Sequence, residues 1–185
     1  MTESQIEAFD SRFAFPGEHK LPDFAALSPD DFSTSFDRAM ESHAREIDAI
    51  AENPAAPDFE NTILALERAG RPLSRVAALF FTLAGANTNE GIQRVEREVS
   101  PKLSRHGSRI SLNAKLFERI DALFARRHEA GLDAEALRLL ERTHAGFVRS
   151  GAKLEGEDRQ RFADINARLA ELGTRFSQNV LADES

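Results

Sequence analysis

The sequence predicts an all-α fold, an array of about seven antiparallel helices. Three observations predict it. Apolar residues recur at spacings of three and four through most of the 185 residues. No segment alternates apolar and polar residues for long, so nothing reads as a strand. Ser, Asp or Asn stands just ahead of several periodic runs, where an N-cap is needed.

Residues 1–28 read as an extended lead-in, because Pro16 and Pro22 interrupt any helix. Phe13, Phe15, Leu21 and Phe24 are expected to dock onto the helical domain, which spans 29–185. Ser28-Pro29-Asp30-Asp31 is a helix start, with a capping Ser, Pro at the first position and acids in the first turn. The first helix then carries Phe32, Phe36, Met40, His43, Ile47 and Ile50 on one stripe, and Asn53-Pro54 ends it.

A second helix starts near Asp58 with Phe59, Ile63 and Leu66 on one face, closed by Gly70. A third runs from Pro72 through Val76, Phe80 and Leu83 to a turn at 85–91, where Thr88 or Asn89 caps the next. The fourth carries Ile92, Val95, Val99, Leu103 and Ile110. Pro101 inside it predicts a kink or break near Val99–Ser100. Asn113 caps a fifth helix with Phe117, Ile120 and Phe124, ended by Gly131. Asp133 caps a sixth with Leu137, Leu140, His144 and Phe147. The last has a long stripe of Phe162, Ile165, Leu169, Leu172, Phe176 and Val180, more apolar surface than the preceding chain is expected to cover. No Gly or Pro follows it and no Lys, Arg or His stands in its last turn to mark a helix end.

A compact chain of this size buries roughly 70% of its unfolded surface, so a core is available. With 41% hydrophobic and 30% charged residues the balance is globular. A net charge of -7 argues against nucleic acid, which needs a concentrated basic face. There is no cysteine, hence no disulfide and no thiolate metal site. The N-terminus carries acids and no long apolar run, and no stretch approaches the roughly 20 residues of a membrane span. No membrane partner is expected, and the expected compartment is the cytoplasm.

Candidate chemistry is sparse. A helical zinc-hydrolase site needs two His at i, i+4. No pair among His19, His43, His106, His128 and His144 has that spacing. The segment "HEAGL" at 128–132 has Leu132 where a second ligand belongs and reads as a surface helix end. Glu141 and His144 form one Glu-x-x-His, whereas a di-iron bundle uses two plus further carboxylates. His144 and His43 therefore read as core or interface residues. In "GFVRSGAKL" Ala152 separates Gly151 from Lys153 and no strand precedes, so no phosphate loop is expected. Arg94, Glu96, Arg97 and Glu98 read as a solvated helix face. No catalytic, cofactor-binding or metal-binding residue is assigned in this chain.

Five segments carry a resemblance: "PDFENTILALERAG" (57–70), "RVAALFFTLAGANTNE" (75–90), "LNAKLFERIDALFARR" (112–127), "GLDAEALRLLERTHAGFVRSGAKL" (131–154) and "RFSQNVL" (175–181). Together, in order and spacing, they resemble the N-terminal region of the dipeptidyl carboxypeptidase and oligopeptidase A family of zinc metallopeptidases. The 131–154 stretch looks closer to the dipeptidyl carboxypeptidase branch. The resemblance implies a largely helical, two-lobed enzyme whose deep channel admits short peptides. It also implies a zinc site on an H-E-x-x-H helix later in the chain, with a downstream Glu as third ligand. None of those residues is matched here. The resemblance further implies that Ser185 is a truncation point, since "RFSQNVLADES" is similar to a place where family members continue. The chain is then expected to act with the remaining C-terminal catalytic part of the same enzyme and to bind no zinc itself. A stand-alone helical interaction module without peptidase activity is the alternative.

Overall fold

The computed structural model describes Phe13 and residues 22–183; the expectations for Phe15, Pro16, His19, Leu21 and Ser185 lie outside them. Among the described residues there is no strand, and six helices have twelve residues or more. In chain order the helices are a single 3-10 turn (Phe24–Ala26) inside the lead-in expected to be extended, capped by the Asp23 side chain, then α1 (Pro29–Ala51), a π-helical segment (Phe59–Leu64) continuing into α2 (Ala65–Arg68), α3 (Arg71–Ala86), α4 (Glu90–Ser111), α5 (Ala114–Ala125), α6 (Ala134–Arg149) and α7 (Gly156–Asp183). The chain divides into two compact units.

Unit one comprises Met1–His43, Gly70–Leu103 and Ala167–Ser185. Its core gathers Phe32 and Phe36 of α1, Val76 and Phe80 of α3, and Val95 and Val99 of α4. Each such side chain stabilises by about 1.5–3 kcal/mol on burial. Phe13 docks as expected, meeting Phe32 edge-on at 5.4 Å between centroids. Phe32 and Phe36 in turn meet Phe80 at 5.3 and 5.4 Å, in the edge-to-face geometry favoured by the ring quadrupoles. The α1 start is a reciprocal cap: the Asp31 amide donates to Ser28 Oγ, and the Ser28 amide donates to Asp31 Oδ2.

Of the kink or break expected near Val99–Ser100, the break is absent: α4 is one helix through Pro101. Pro101 cannot donate to the Arg97 carbonyl, but this loss is local. Val95 and Val99 on the preceding turns are fully buried and anchor that part of the helix in the core. α3 also runs through Gly85 and Ala86 into the expected turn, because Leu83 and Ala84 still pack on the core and the Asn87 amide bonds the Leu83 carbonyl at 2.8 Å. Asn89 caps α4, accepting from the Ile92 amide at 3.0 Å.

Unit two comprises Ala44–Ala69 and Ser104–Asn166. Its core joins Ile47 and Ile50 of α1 to Ile63, to Leu116, Ile120 and Leu123 of α5, and to Leu140 of α6. The expected helix at 58–70 is wider than anticipated over its first six residues, with the Ala65 amide reaching back five residues to the Glu60 carbonyl. The wider turn brings two consecutive residues, Thr62 and Ile63, inward. Asp58 and Asn61 cap it reciprocally. Asn113 and Asp133 cap α5 and α6 as expected. α5 ends at Ala125, earlier than Gly131, in turns closed by Arg126 and Arg127 amides on the Leu123 and Phe124 carbonyls. Beyond Phe124 the segment has no apolar stripe left to bury.

Candidate functional site

In unit two a group of chemically capable side chains gathers around His144 of α6. Its imidazole stacks on Phe124 with centroids 3.9 Å apart and planes 3° from parallel, and on Phe117 at 5.6 Å. Nε2 lies 2.8 Å from Asp121 Oδ1; an ionised carboxylate only accepts, so Nε2 carries the hydrogen. Phe117, Asp121 and Phe124 come from one face of α5 at spacings of four and three, so the helix itself arranges them around the ring. Phe147 adds a further stacked ring on Phe117 at 6.4 Å. The Arg127 guanidinium sits 4.2 Å over the Phe124 ring.

Glu141, the other half of the Glu-x-x-His, does not share these partners. Its carboxylate lies between Arg127 at 3.9 Å and Arg138 at 3.8 Å. Imidazole and carboxylate are thus each engaged with other partners. Beside them, one face of α6 lines an open cleft of about 610 Å³ with Arg138, Glu141, Arg142, Ala145, Gly146 and Arg149. Three guanidiniums against one carboxylate suit an anionic group, but the cleft presents no nucleophile.

The other sequence candidates are dispersed. His128 is exposed in the turn after α5, and His106 is half-buried on α4. His43 packs against Gly70, whose backbone is left-handed (φ 71°); a β-carbon there would lie 2.8 Å from the ring. Among the described residues, no three of His, Asp and Glu gather closely enough to hold a metal ion. These residues do not fit a zinc centre, so no catalytic step is derived from them.

Sequence reasoning missed Arg119. It is buried on α5 and donates through Nη1 to the Asn53 and Ala55 carbonyls at 2.7 and 2.9 Å. Through Nη2 it donates to Asn61 Oδ1 at 2.8 Å and, more weakly, to Thr62 Oγ1 at 3.4 Å. One guanidinium thereby ties the 53–57 connection to the π-helical turn. Arg126 donates to the Pro57 carbonyl and adds to the same tether. The signal was present in the sequence: Leu116, Arg119, Ile120 and Leu123 keep the i, i+3, i+4, i+7 pattern of a core face, and Arg119 breaks its polarity.

In unit one the electrostatics concentrate on Lys102, which donates to Asp37 and Glu98 at 2.9 Å each. Its hydrogen bond to Glu98, then that to Asp37, holds its ammonium above the usual lysine range. The Lys102 bond, reinforced by one from Ser33, holds the Glu98 carboxyl below its usual range. This is a bracing network between α1 and α4 within the unit.

None of these groupings identifies an activity alone, and comparison with known proteins decides the relationship. Over 161 residues, 87% of this chain, the sequence is 42% identical to a dipeptidyl carboxypeptidase of Escherichia coli. It is 41% identical over 164 residues to that of Salmonella typhimurium, and 24% identical over 161 residues to the oligopeptidase A of the same organism. The chain is a relative of the dipeptidyl carboxypeptidases and oligopeptidases A. This peptidase relative spans about a quarter (24%) of the length of those proteins. No protein-family profile matches it. Among its described residues, no helix is long and apolar enough to cross a membrane.

Proposed function

We propose that this chain is the helical N-terminal portion of a zinc-dependent oligopeptidase or peptidyl-dipeptidase that hydrolyses short peptides in the cytoplasm. The observation that carries the reading is the 42% identity to a dipeptidyl carboxypeptidase, maintained over 87% of the chain. In this reading zinc and the catalytic residues belong to the remaining three quarters of a relative-length polypeptide. The present helices serve as a scaffold wall for that part.

The test compares the product of the uninterrupted gene with residues 1–185 alone. The whole product is expected to retain stoichiometric zinc and to cleave a short quenched peptide, with cleavage abolished by a chelator. Residues 1–185 are expected to do neither. Chelator-sensitive cleavage by 1–185 would mean the machinery was misassigned, and a whole product that cleaves no peptide would reject the peptidase reading. The outward apolar face of α7 favours a second reading, a stand-alone helical interaction module. That reading requires a gene product without peptidase activity.

A further inference from the structure

Within unit one, α7 is amphipathic in the opposite sense to the other helices. Its inward face carries small or polar residues: Ala167, which is buried, and Ala170, Thr174 and Gln178, which are half-buried. Gln178 fastens this face to α4, donating to the Gln93 carbonyl at 3.0 Å and to Glu96 Oε2 at 2.8 Å, and accepting from Arg97. Four large apolar side chains point the other way. Leu169 is 60% exposed, Leu172 43%, Phe176 69% and Val180 40%. At roughly 100° per residue these four fall within one narrow stripe, opposite Thr174 and Gln178. An isolated exposed Leu needs no explanation, but a contiguous stripe marks a contact surface.

The edges of the stripe say what covers it. Arg168 and Arg175 flank Leu172 at i−4 and i+3 and form one edge. Glu171 pairs with both, at 2.6 and 3.8 Å, which leaves one carboxylate for two guanidiniums. Gly173 and Ser177 form the other edge and leave room for close approach. A second copy is a poor occupant. Antiparallel two-fold pairing sets the arginine edge against itself, and parallel pairing sets it against Gly173 and Ser177, which carry no charge. A fitting occupant has a large apolar face and an acidic border. The chain spans 24% of the length of its dipeptidyl carboxypeptidase relative, so a polypeptide of that length supplies ample further surface.

We infer that the Leu169, Leu172, Phe176 and Val180 stripe is the seat for an apolar, acid-bordered helix from the remaining part of a relative-length polypeptide. The inference rests on the reading proposed above. Hydroxyl-radical footprinting read by mass spectrometry tests it. In residues 1–185 alone, Phe176 is expected to label freely while Phe36 and Phe80 stay silent. In the whole gene product, labelling of Phe176 is expected to fall to the level of Phe36 and Phe80. Reversing the arginine edge (Arg168→Glu with Arg175→Glu) is expected to restore Phe176 labelling in the whole product and to leave 1–185 unchanged. Free labelling of Phe176 in both proteins overturns the inference, as does silence in 1–185 accompanied by dimerisation in light scattering, which makes a second copy the occupant. Peptide cleavage is scored separately. Protection without cleavage retains the seat and rejects the peptidase reading, whereas cleavage with Phe176 exposed retains the reading and rejects the seat.

Discussion

Arg119 Nη2 donates to Asn61 Oδ1 at 2.8 Å, and the same Asn61 closes the cap on Asp58. The guanidinium and the cap of the π-helical turn are therefore one hydrogen-bonded unit. Replacing Arg119 with Met keeps much of the stem but strands the Asn53 and Ala55 carbonyls. The expected loss is about 2–4 kcal/mol, since several bonds from a buried charged donor go at once. Arg119→Lys is expected to recover less than half of this, because an ammonium cannot reproduce the fork. Urea unfolding midpoints of the three proteins provide the check; an Arg119→Lys protein as stable as the parent would contradict the fork geometry.

Gly70 should not tolerate a side chain. Its positive φ disfavours any L-residue, and a β-carbon would meet the His43 ring at 2.8 Å. Gly70→Ala is expected to destabilise by about 1–3 kcal/mol. In a double-mutant cycle, His43→Ala should relieve the steric part and leave the conformational part, so the two substitutions are expected to be non-additive. Strict additivity in thermal unfolding would place the whole cost in the backbone.

The Lys102 network predicts two shallow pH edges. The Glu98 carboxyl is depressed in the fold, so its contribution is present above the unfolded carboxyl value of about 4.3 and fades as pH falls through the lower folded value. Lys102 is raised, so its contribution is complete below about 10.4 and fades as pH climbs through the higher folded value. Lys102→Met should flatten stability-versus-pH at both ends. These groups are substantially exposed, and molar salt should shrink the difference. An acid limb unchanged by the substitution would remove Glu98 from the account.

Two phenylalanines on the same unit should behave oppositely. Phe36→Ala empties a fully buried position and is expected to cost about 3–5 kcal/mol. Phe176→Ala removes an exposed ring and should change the stability of residues 1–185 by no more than about 0.5 kcal/mol. Comparable losses from both, measured by chemical denaturation, would mean that Phe176 is buried within this chain after all.

Local physics made most of the helices legible. Ser28, Asn113 and Asp133 announce helix starts because a short oxygen-bearing side chain satisfies an amide that otherwise has no partner. Phe32, Phe36, Val76 and Phe80 announce a core because their spacing admits one buried face. The continuity of α4 through Pro101 was not legible, since it depends on Val95 and Val99 being held by other helices. Nor was the wide turn at 59–64, which depends on Arg119 arriving from about sixty residues away. The surroundings of His144 and Glu141 were equally hidden: spacing paired them, but Asp121, Arg127 and Arg138 take them apart. The helical class, the caps and the kinship with peptidases are written in short-range patterns and their order. Which polar groups meet, and that Ala167, Ala170 and Gln178 form the face of α7 turned inward, follow only from the folded chain, because helix periodicity defines a face but not what lies against it.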